Sequence, residues 1–364
     1  MQAVVVSPPS PGAQIATVDS PVVDDTHVGV RVIECGICGT DRDIASGQYG
    51  TPPVGSTRLI LGHENLGVVE TVGRKVDGWV HGDLAVATVR RGCGRCRFCL
   101  TDQSDFCETG TFTERGIRGA DGYLAERYAE LPEYLVKVPA DLRSVAVLLE
   151  PLSVIEKAVH EGIVVLERRG ETPGYPADGP VRALVAGTGA IGMLAAFLLR
   201  GRGWDVTAID RHDGGSPAGQ ILARIGARHA NVAQGWAEIG PAPFDVIIEA
   251  SGNAALDLEL VGRLGPNGVL VVTGIPSATV APTSFAAGAL LRNLVLGNLA
   301  IVGSVNANRR YFESGLVDLA NFRERWGDSL AGVITERRAW SDAPALLSER
   351  GAAGMKSVVS LPSP

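Results

Sequence analysis

Four of the six cysteines stand together in GCGRCRFCLTDQSDFC, residues 92–107. Cys93, Cys96, Cys99 and Cys107 form two overlapping C-x-x-C steps with a fourth thiol further on. Four thiolates saturate a tetrahedral zinc ion and leave no position open for a substrate, which makes such a site structural. A redox pair would need only two cysteines at a helix start, and disulfides belong to oxidising compartments. The reaction must therefore occur elsewhere. The remaining thiols are Cys35 and Cys38, in ECGICGTDRDI, followed by LGHENLG with His63 and Glu64 and by LLEPLSVIEKA with Glu150. A thiolate, an imidazole and one or two carboxylates can supply three ligands and leave one position open, the pattern of a catalytic zinc. Taken singly, each of these residues has an ordinary place in a core or on a surface; only their joint occurrence with a nucleotide fold points to a metal.

That nucleotide fold is read from ALVAGTGAIG, which carries Gly187, Gly189 and Gly192 in G-x-G-x-x-G spacing around Thr188, Ala190 and Ile191. The first glycine makes the tight turn, the second admits a pyrophosphate to the backbone, and the third lets helix and strand pack closely. The helix start then offers free N–H groups to the anion. An apolar strand precedes the turn, an apolar helix follows it, and a second strand ends in Asp210, close to the offset expected of a ribose-binding acid. Asp210 favours NAD over NADP, although the adjoining Arg211 and His212 leave a 2′-phosphate admissible.

These residues need elements to hold them. The first 150 or so residues are rich in short alternating stretches such as HVGVRVIE and NLGVVETVG, which predict a β-rich region. From about residue 181 apolar strands alternate with helices, VRALVA, DVTAID, FDVIIEAS and GVLVVTG being the strands, which predicts a doubly wound parallel sheet. The tail after about residue 305 is mixed, and RRGETPGYPADGP, 168–180, reads as a linker. At 364 residues two domains are expected. A net charge of −7 argues against a nucleic-acid partner. No apolar run is long enough to span a bilayer and no secretory signal is visible, so a soluble, cytoplasmic protein without a membrane partner is expected.

Through CGICGTD, GHENLGVVETVG, GDLAV, the four-cysteine lobe, GTGAIG and FDVIIEASG, the chain resembles the zinc-dependent medium-chain dehydrogenase/reductase superfamily over essentially its whole length. CGTDRDIASGQYG, TERGIRGADGYLAE, LLEPLSVIEKA and GSVNAN are most similar to the glucose (aldose) 1-dehydrogenases within it. The resemblance implies an α/β protein with a GroES-like catalytic domain, 1–153 and 305–364, carrying the structural-zinc lobe at 92–108. A Rossmann domain would occupy 154–304. It implies Cys38, His63 and Glu150 as ligands of a catalytic zinc, with Glu64 beside the metal as ligand or water partner and Thr40 near the reacting oxygen. Glu64, Glu114, Glu150, Asn306 and Thr40 would contact the sugar. Thr273, Gly274, Ile275, Val305 and Asn306 would line the nicotinamide. No histidine follows Cys38 closely in TDRDI, so a proton relay would run through Thr40, Glu64 or bound water. Val154 stands where some relatives place a sugar-binding acid.

The expected reaction is oxidation of an aldose at C1 to the lactone, with hydride passing to NAD(P)⁺, NAD slightly favoured. A polyol or amino-alcohol dehydrogenase with the same zinc and nucleotide apparatus is the alternative. A small-molecule sugar substrate and a homo-oligomer, dimer or tetramer, complete the expectation.

Overall fold

The computed structural model describes residues 1–167, 179–233, 235–240, 243–276, 286–349 and 354–361. The expected linker at 168–180 lies outside the described residues except for 179–180. The chain divides into two compact units, 1–153 with 306–320 and 334–364, and 154–305 with 321–333.

The first unit is built on β-structure from both ends of the chain. Its main sheet runs, in order, Leu135–Val138, Leu84–Ala87, Glu64–Val72, Val28–Ile37, Lys356–Ser360 and Ile334–Ala339, with Arg127–Glu130 also paired to Val28–Ile37. The long strand Val28–Ile37 is the hub. Its valines alternate into a core with Val69, Ala85, Tyr123 and Leu135, the period-two pattern that a half-buried strand requires. Antiparallel pairing sets Gly36 opposite Glu64 and Cys35 opposite Asn65 on one side, and Ile37 opposite Ser357 on the other. That register brings three sequence-distant segments to the end of one strand. Gly36 is required there, because a Cβ would lie 2.0 Å from Glu64 Oε2. A smaller sheet of Arg90–Arg91, Thr113–Arg115 and Gly119–Ala120 sets Arg90 opposite Glu114.

The second unit holds six parallel strands in the spatial order Arg228–Asn231, Asp205–Asp210, Arg182–Ala186, Phe244–Glu249, Leu264–Val272 and Ala300–Gly303. Numbered along the chain this is 3-2-1-4-5-6, the order of the dinucleotide-binding fold. Central parallel strands are covered on both faces and so are apolar throughout; Ala183, Leu184, Val185 and Ala186 are all fully buried. The helix Ala190–Gly201 is apolar on nearly every side for the same reason, with nine of its residues buried.

One boundary differs from the expectation. The sequence reading assigns 305–364 to the catalytic domain, but residues 321–333 pack in the second unit. The cause is aromatic: Phe322 and Trp326 of the helix Arg309–Trp326 stack on Phe197, with ring centroids 5.7 and 5.5 Å away. Such buried ring clusters contribute more than their area alone.

Candidate active site

Cys38 follows the hub strand directly and occupies the N-cap of the short helix Gly39–Ala45. The turn is held by Asp41, whose Oδ2 accepts the Cys38 backbone N–H at 2.9 Å. Across the sheet His63 enters from the end of strand Leu59–Ile60, and Glu64 opens the next strand. Ligand atoms of Cys38, His63 and Glu64 all lie within 4.8 Å of one another. Glu150, in the first turn of the helix Leu149–Glu167, stands outside that set but within range of its charges. Thr40 is half-buried in the first turn after Cys38.

The electrostatics are those of a site built around a cation. His63, Glu64 and Glu150 are buried. Burial pushes the Glu150 carboxyl up to about 7, against the His63 charge and with the Glu64 charge. Burial alone would lower His63; the charge of Asp41 outweighs it and raises the imidazole well above its ordinary value. Asp41 Oδ1 stands 3.3 Å from His63 Nδ1, yet the two are too poorly aligned for a hydrogen bond, and Nδ1 has no other partner. A soft sulfur, an imidazole and carboxylates converging in a largely buried cluster form the donor set of zinc. Both Glu64 oxygens, however, accept from Lys356 Nζ at 2.6 and 2.7 Å. Lys356 answers the Glu64 charge, as its own raised pKa reflects against the effect of burial.

The four-cysteine lobe is equally well formed. Cys93, Cys96, Cys99 and Cys107 bring their sulfurs within 4.8 Å of one another. Gly92 closes the knuckle, since a Cβ there would meet Cys99 Sγ at 2.6 Å. Hydrogen bonds from Thr109 and the backbone bring Cys93 down to about 5, while burial and the neighbouring thiols push Cys99 up to about 12. A divalent cation removes that conflict by holding all four as thiolates.

Beside the lobe, Arg90 Nε and Nη2 donate to Glu114 Oε1 at 3.1 and 2.8 Å, and Asn306 Nδ2 donates to the same oxygen at 2.6 Å. Arg90 Nη1 also donates to the Asp105 carbonyl at 2.7 Å. Two of the residues expected to contact sugar, Glu114 and Asn306, are thus joined, with Asn306 held at φ 60°.

In the second unit Gly187, at φ 99°, makes the turn after Arg182–Ala186. Its carbonyl leaves only 1.8 Å for a Cβ at Gly192, the close packing the third glycine exists to allow. Gly189 caps the helix without a side-chain bond and faces open space, so the helix N–H groups remain available to an anion. Asp210 accepts from Thr188 Oγ1, from the His212 backbone N–H at 2.8 Å and from His229 Nε2 at 2.9 Å. Burial raises its carboxyl, and these bonds overcome that and lower it. Thr273 and Gly274 are fastened to Glu249, which accepts the Gly274 N–H at 3.2 Å and takes the Thr273 hydroxyl on its carbonyl at 2.6 Å. Arg211, Ile275 and Val305 are exposed.

The family model "Glucose dehydrogenase C-terminus" matches residues 143–361, and "Alcohol dehydrogenase GroES-like domain" matches 24–140. A glucose 1-dehydrogenase of Methanocella arvoryzae is 40% identical over 89% of this chain and 89% of its own. The chain belongs to the glucose 1-dehydrogenase family. A further family member, from Metallosphaera sedula, is 36% identical over 99% of this chain and 98% of its own. Among solved structures, Haloferax mediterranei glucose dehydrogenase in complex with NADP, Zn and gluconolactone superposes with a TM-score of 0.86 at 29% identity, covering 100% of both chains. The fold is that of the family, a GroES-like domain with a Rossmann-type parallel sheet.

Sequence reasoning missed several residues of the candidate site. Asp41 sits in plain sight in CGTDRDI, and its spacing of three from Cys38 fits a helix-capping acid. Lys356, Arg90 and His229 carried no signal, because each meets its partner only through sheet pairing. Glu249 lies within FDVIIEASG, where a fully buried acid has to be satisfied by the turn that follows.

Proposed function

We propose that this chain oxidises an aldose of the glucose type at C1 to the lactone, passing hydride to C4 of NAD⁺ or NADP⁺. The observation that carries the reading is the convergence of Cys38, His63 and Glu64 at the end of the hub strand, in a chain matched nearly end to end by glucose 1-dehydrogenases. Cys38, His63 and Glu150 would hold the catalytic zinc, and Cys93, Cys96, Cys99 and Cys107 a structural one. When bound, the catalytic ion supplies Lewis-acid charge to the sugar oxygen as its proton leaves.

The remaining work falls to the chain's own residues. Asp41 sets a carboxylate charge 3.3 Å behind His63 Nδ1, which favours the imidazole as a ligand electrostatically. Lys356 holds Glu64 by both oxygens, which favours Glu64 as an outer partner over a direct ligand. Thr40 places a hydroxyl in the turn after Cys38, a first acceptor for the C1 hydroxyl proton. Arg90 and Asn306 fix Glu114 so that its carboxylate can accept from sugar hydroxyls. Gly187, Gly189 and Gly192 take the pyrophosphate, and Asp210 stands at the adenosine ribose.

The catalytic domain would comprise 1–153, 306–320 and 334–364, and the nucleotide-binding domain 154–305 with 321–333. Among the described residues no helix is long and apolar enough to cross a membrane, which agrees with a cytoplasmic enzyme. Leu291, Val295, Leu296 and Ile301 are exposed on the helix Ala287–Leu296 and the edge strand Ala300–Gly303, which supports a homo-oligomer. The test is turnover of glucose, galactose, xylose, sorbitol and threonine with each nucleotide, read as absorbance of reduced nicotinamide. Turnover of aldoses is expected. Turnover of sorbitol or threonine alone would overturn the substrate.

A further inference from the structure

The acid that Arg90 and Asn306 hold keeps one oxygen out of their grip. Glu114 Oε1 takes all three donors, Arg90 Nε and Nη2 and Asn306 Nδ2, and Oε2 takes none of them. An ionised carboxylate accepts through both oxygens, so Oε2 can serve a ligand hydroxyl. The loop after Glu114 closes back on it, since Glu114 and Arg118 exchange both backbone N–H bonds at 2.8 Å.

A second segment is fastened to that loop. The Thr51 N–H donates to the Ile117 carbonyl at 3.1 Å, and the Gly119 N–H donates to the Thr51 carbonyl at 2.7 Å. Two residues before Thr51 stands Tyr49, whose aromatic side chain is 52% exposed. Its turn has little freedom. Gly47 at φ 81° and Gly50 at φ 97° take left-handed backbone, and a Cβ would meet the Pro9 carbonyl oxygen at 2.1 Å in the first and Ile44 Cγ2 at 2.7 Å in the second. Ile44 belongs to the helix Gly39–Ala45, seven residues and so about 10 Å long. Cys38 starts that helix and Tyr49 follows its end, so one short element relates the two. The Tyr49 phenol stands within range of the Glu114, Arg118 and Arg90 charges; burial and then Glu114 raise its pKa, against the two arginines. Arg118 is occupied elsewhere, with Nη2 donating to the Gly110 carbonyl at 2.9 Å and its guanidinium 4.7 Å from the Phe112 ring centroid.

A pyranose with equatorial hydroxyls has flat faces of C–H groups and an edge of hydroxyls. The electron-rich face of an aromatic ring suits the C–H groups, and a carboxylate oxygen suits the edge. An open-chain polyol offers the same hydroxyls without a fixed apolar face. We propose that Tyr49 is a specificity residue, its ring the platform on which a pyranose lies while Glu114 Oε2 accepts from the hydroxyls at the edge, so that the site takes the cyclic form of an aldose in preference to an open-chain polyol. The proposal deepens the aldose reading above and rests on it.

The test compares the wild type with Tyr49→Ala, Tyr49→Leu and Tyr49→Phe. Steady-state kinetics are measured with glucose, xylose and sorbitol at saturating cofactor. In parallel, ligand-observed NMR titration gives the Kd of 1,5-anhydroglucitol, a pyranose with no C1 hydroxyl to oxidise. Tyr49→Ala and Tyr49→Leu should raise the KM of both aldoses and the Kd of the anhydro sugar roughly tenfold. Their kcat should change little, the mark of binding shared by ground and transition states, and their NADH affinity and sorbitol kinetics should not follow. Tyr49→Phe keeps the flat ring and should recover most of the loss. Values within twofold of the wild type in Tyr49→Ala and Tyr49→Leu overturn the proposal, as does a Tyr49→Phe no better than Tyr49→Leu; the latter comparison suffices if Tyr49→Ala fails to fold. Aldose turnover indifferent to Tyr49 sinks this inference alone. Anhydro-sugar binding that depends on Tyr49, in a protein that oxidises no aldose, keeps the platform and sinks the reaction, whereas a wild type that neither binds nor oxidises a pyranose sinks both.

Discussion

Lys356→Met isolates the least expected contact at the candidate centre. The lysine is 5% exposed and its partner Glu64 1% exposed, with Nζ 2.6 Å from Oε1. At that depth solvent screens little, so the small values typical of surface pairs do not apply. Methionine keeps the length of the side chain and deletes the charge. It leaves Glu64 buried among Asp41, Glu150 and the Cys35 and Cys38 thiols without its cation. Removing one partner of a buried pair costs about 3–5 kcal/mol, which lowers the melting temperature of a unit this size by roughly 6–20 °C. The assay is thermal unfolding of metal-stripped protein, followed by circular dichroism. Two controls fix the cause. Glu64→Gln combined with Lys356→Met should recover most of the loss, since no unpaired charge remains. Excess zinc should stabilise Lys356→Met more than the wild type, because the freed carboxylate faces the ion. A fall of less than about 2 °C in the stripped single variant, or a double variant no more stable than the single, would refute the reasoning.

The two metal sites should separate by mutation. Cys38→Ala is expected to reduce turnover by roughly a thousandfold or more with an unchanged melting curve, whereas Cys93→Ser loses one zinc per chain by atomic absorption and melts earlier; equal loss of folding from both contradicts the division. Asp41→Asn keeps the bond to the Cys38 N–H but gives up the charge behind His63, and should weaken zinc at the catalytic site about 10–100-fold in a chelator competition. Affinity unchanged within twofold would remove Asp41 from the site. In the second unit, burial and then the Glu249 charge push Asp257 up to about 6, and its Oδ1 has no partner. A carboxyl raised in the folded state contributes stability below its unfolded pKa, near 3.8, and loses it as pH rises through about 6. Asp257→Asn should therefore match the wild type at pH 4 and melt slightly later at pH 7.5, the gain being small because the group is only half-buried and solvent screens part of the effect. An equal shift at both pH values would contradict it.

The parts legible in the sequence are those whose partners are close along the chain. The four-cysteine knuckle and the Gly187–Gly192 turn are local, and their spacing alone dictates their shape. The strand alternation around Val28–Ile37 likewise marks one buried face. What the sequence hides depends on register. Lys356 lies 292 positions from Glu64 and meets it only because strand Lys356–Ser360 pairs with the hub. Arg90 reaches Glu114 through a two-residue ladder too short to leave a periodic signal. His229 stands in ARHAN, where nothing distinguishes it from an exposed polar residue until Asp205–Asp210 pairs beside it. The placement of Asn321–Val333 depends on aromatic stacking against Phe197, which no hydrophobic pattern within the helix announces.

The central claim is that hydride leaves C1 of an aldose and enters the nicotinamide. It is tested most directly with glucose carrying deuterium at C1, zinc-loaded protein and NAD⁺ or NADP⁺, with the recovered cofactor analysed by proton NMR. The account predicts one deuterium at C4 of the reduced ring, gluconolactone as the partner product, and loss of both with Cys38→Ala. Reduced cofactor without deuterium at C4, or no reduction by a protein that binds its nucleotide and its zinc, would contradict it.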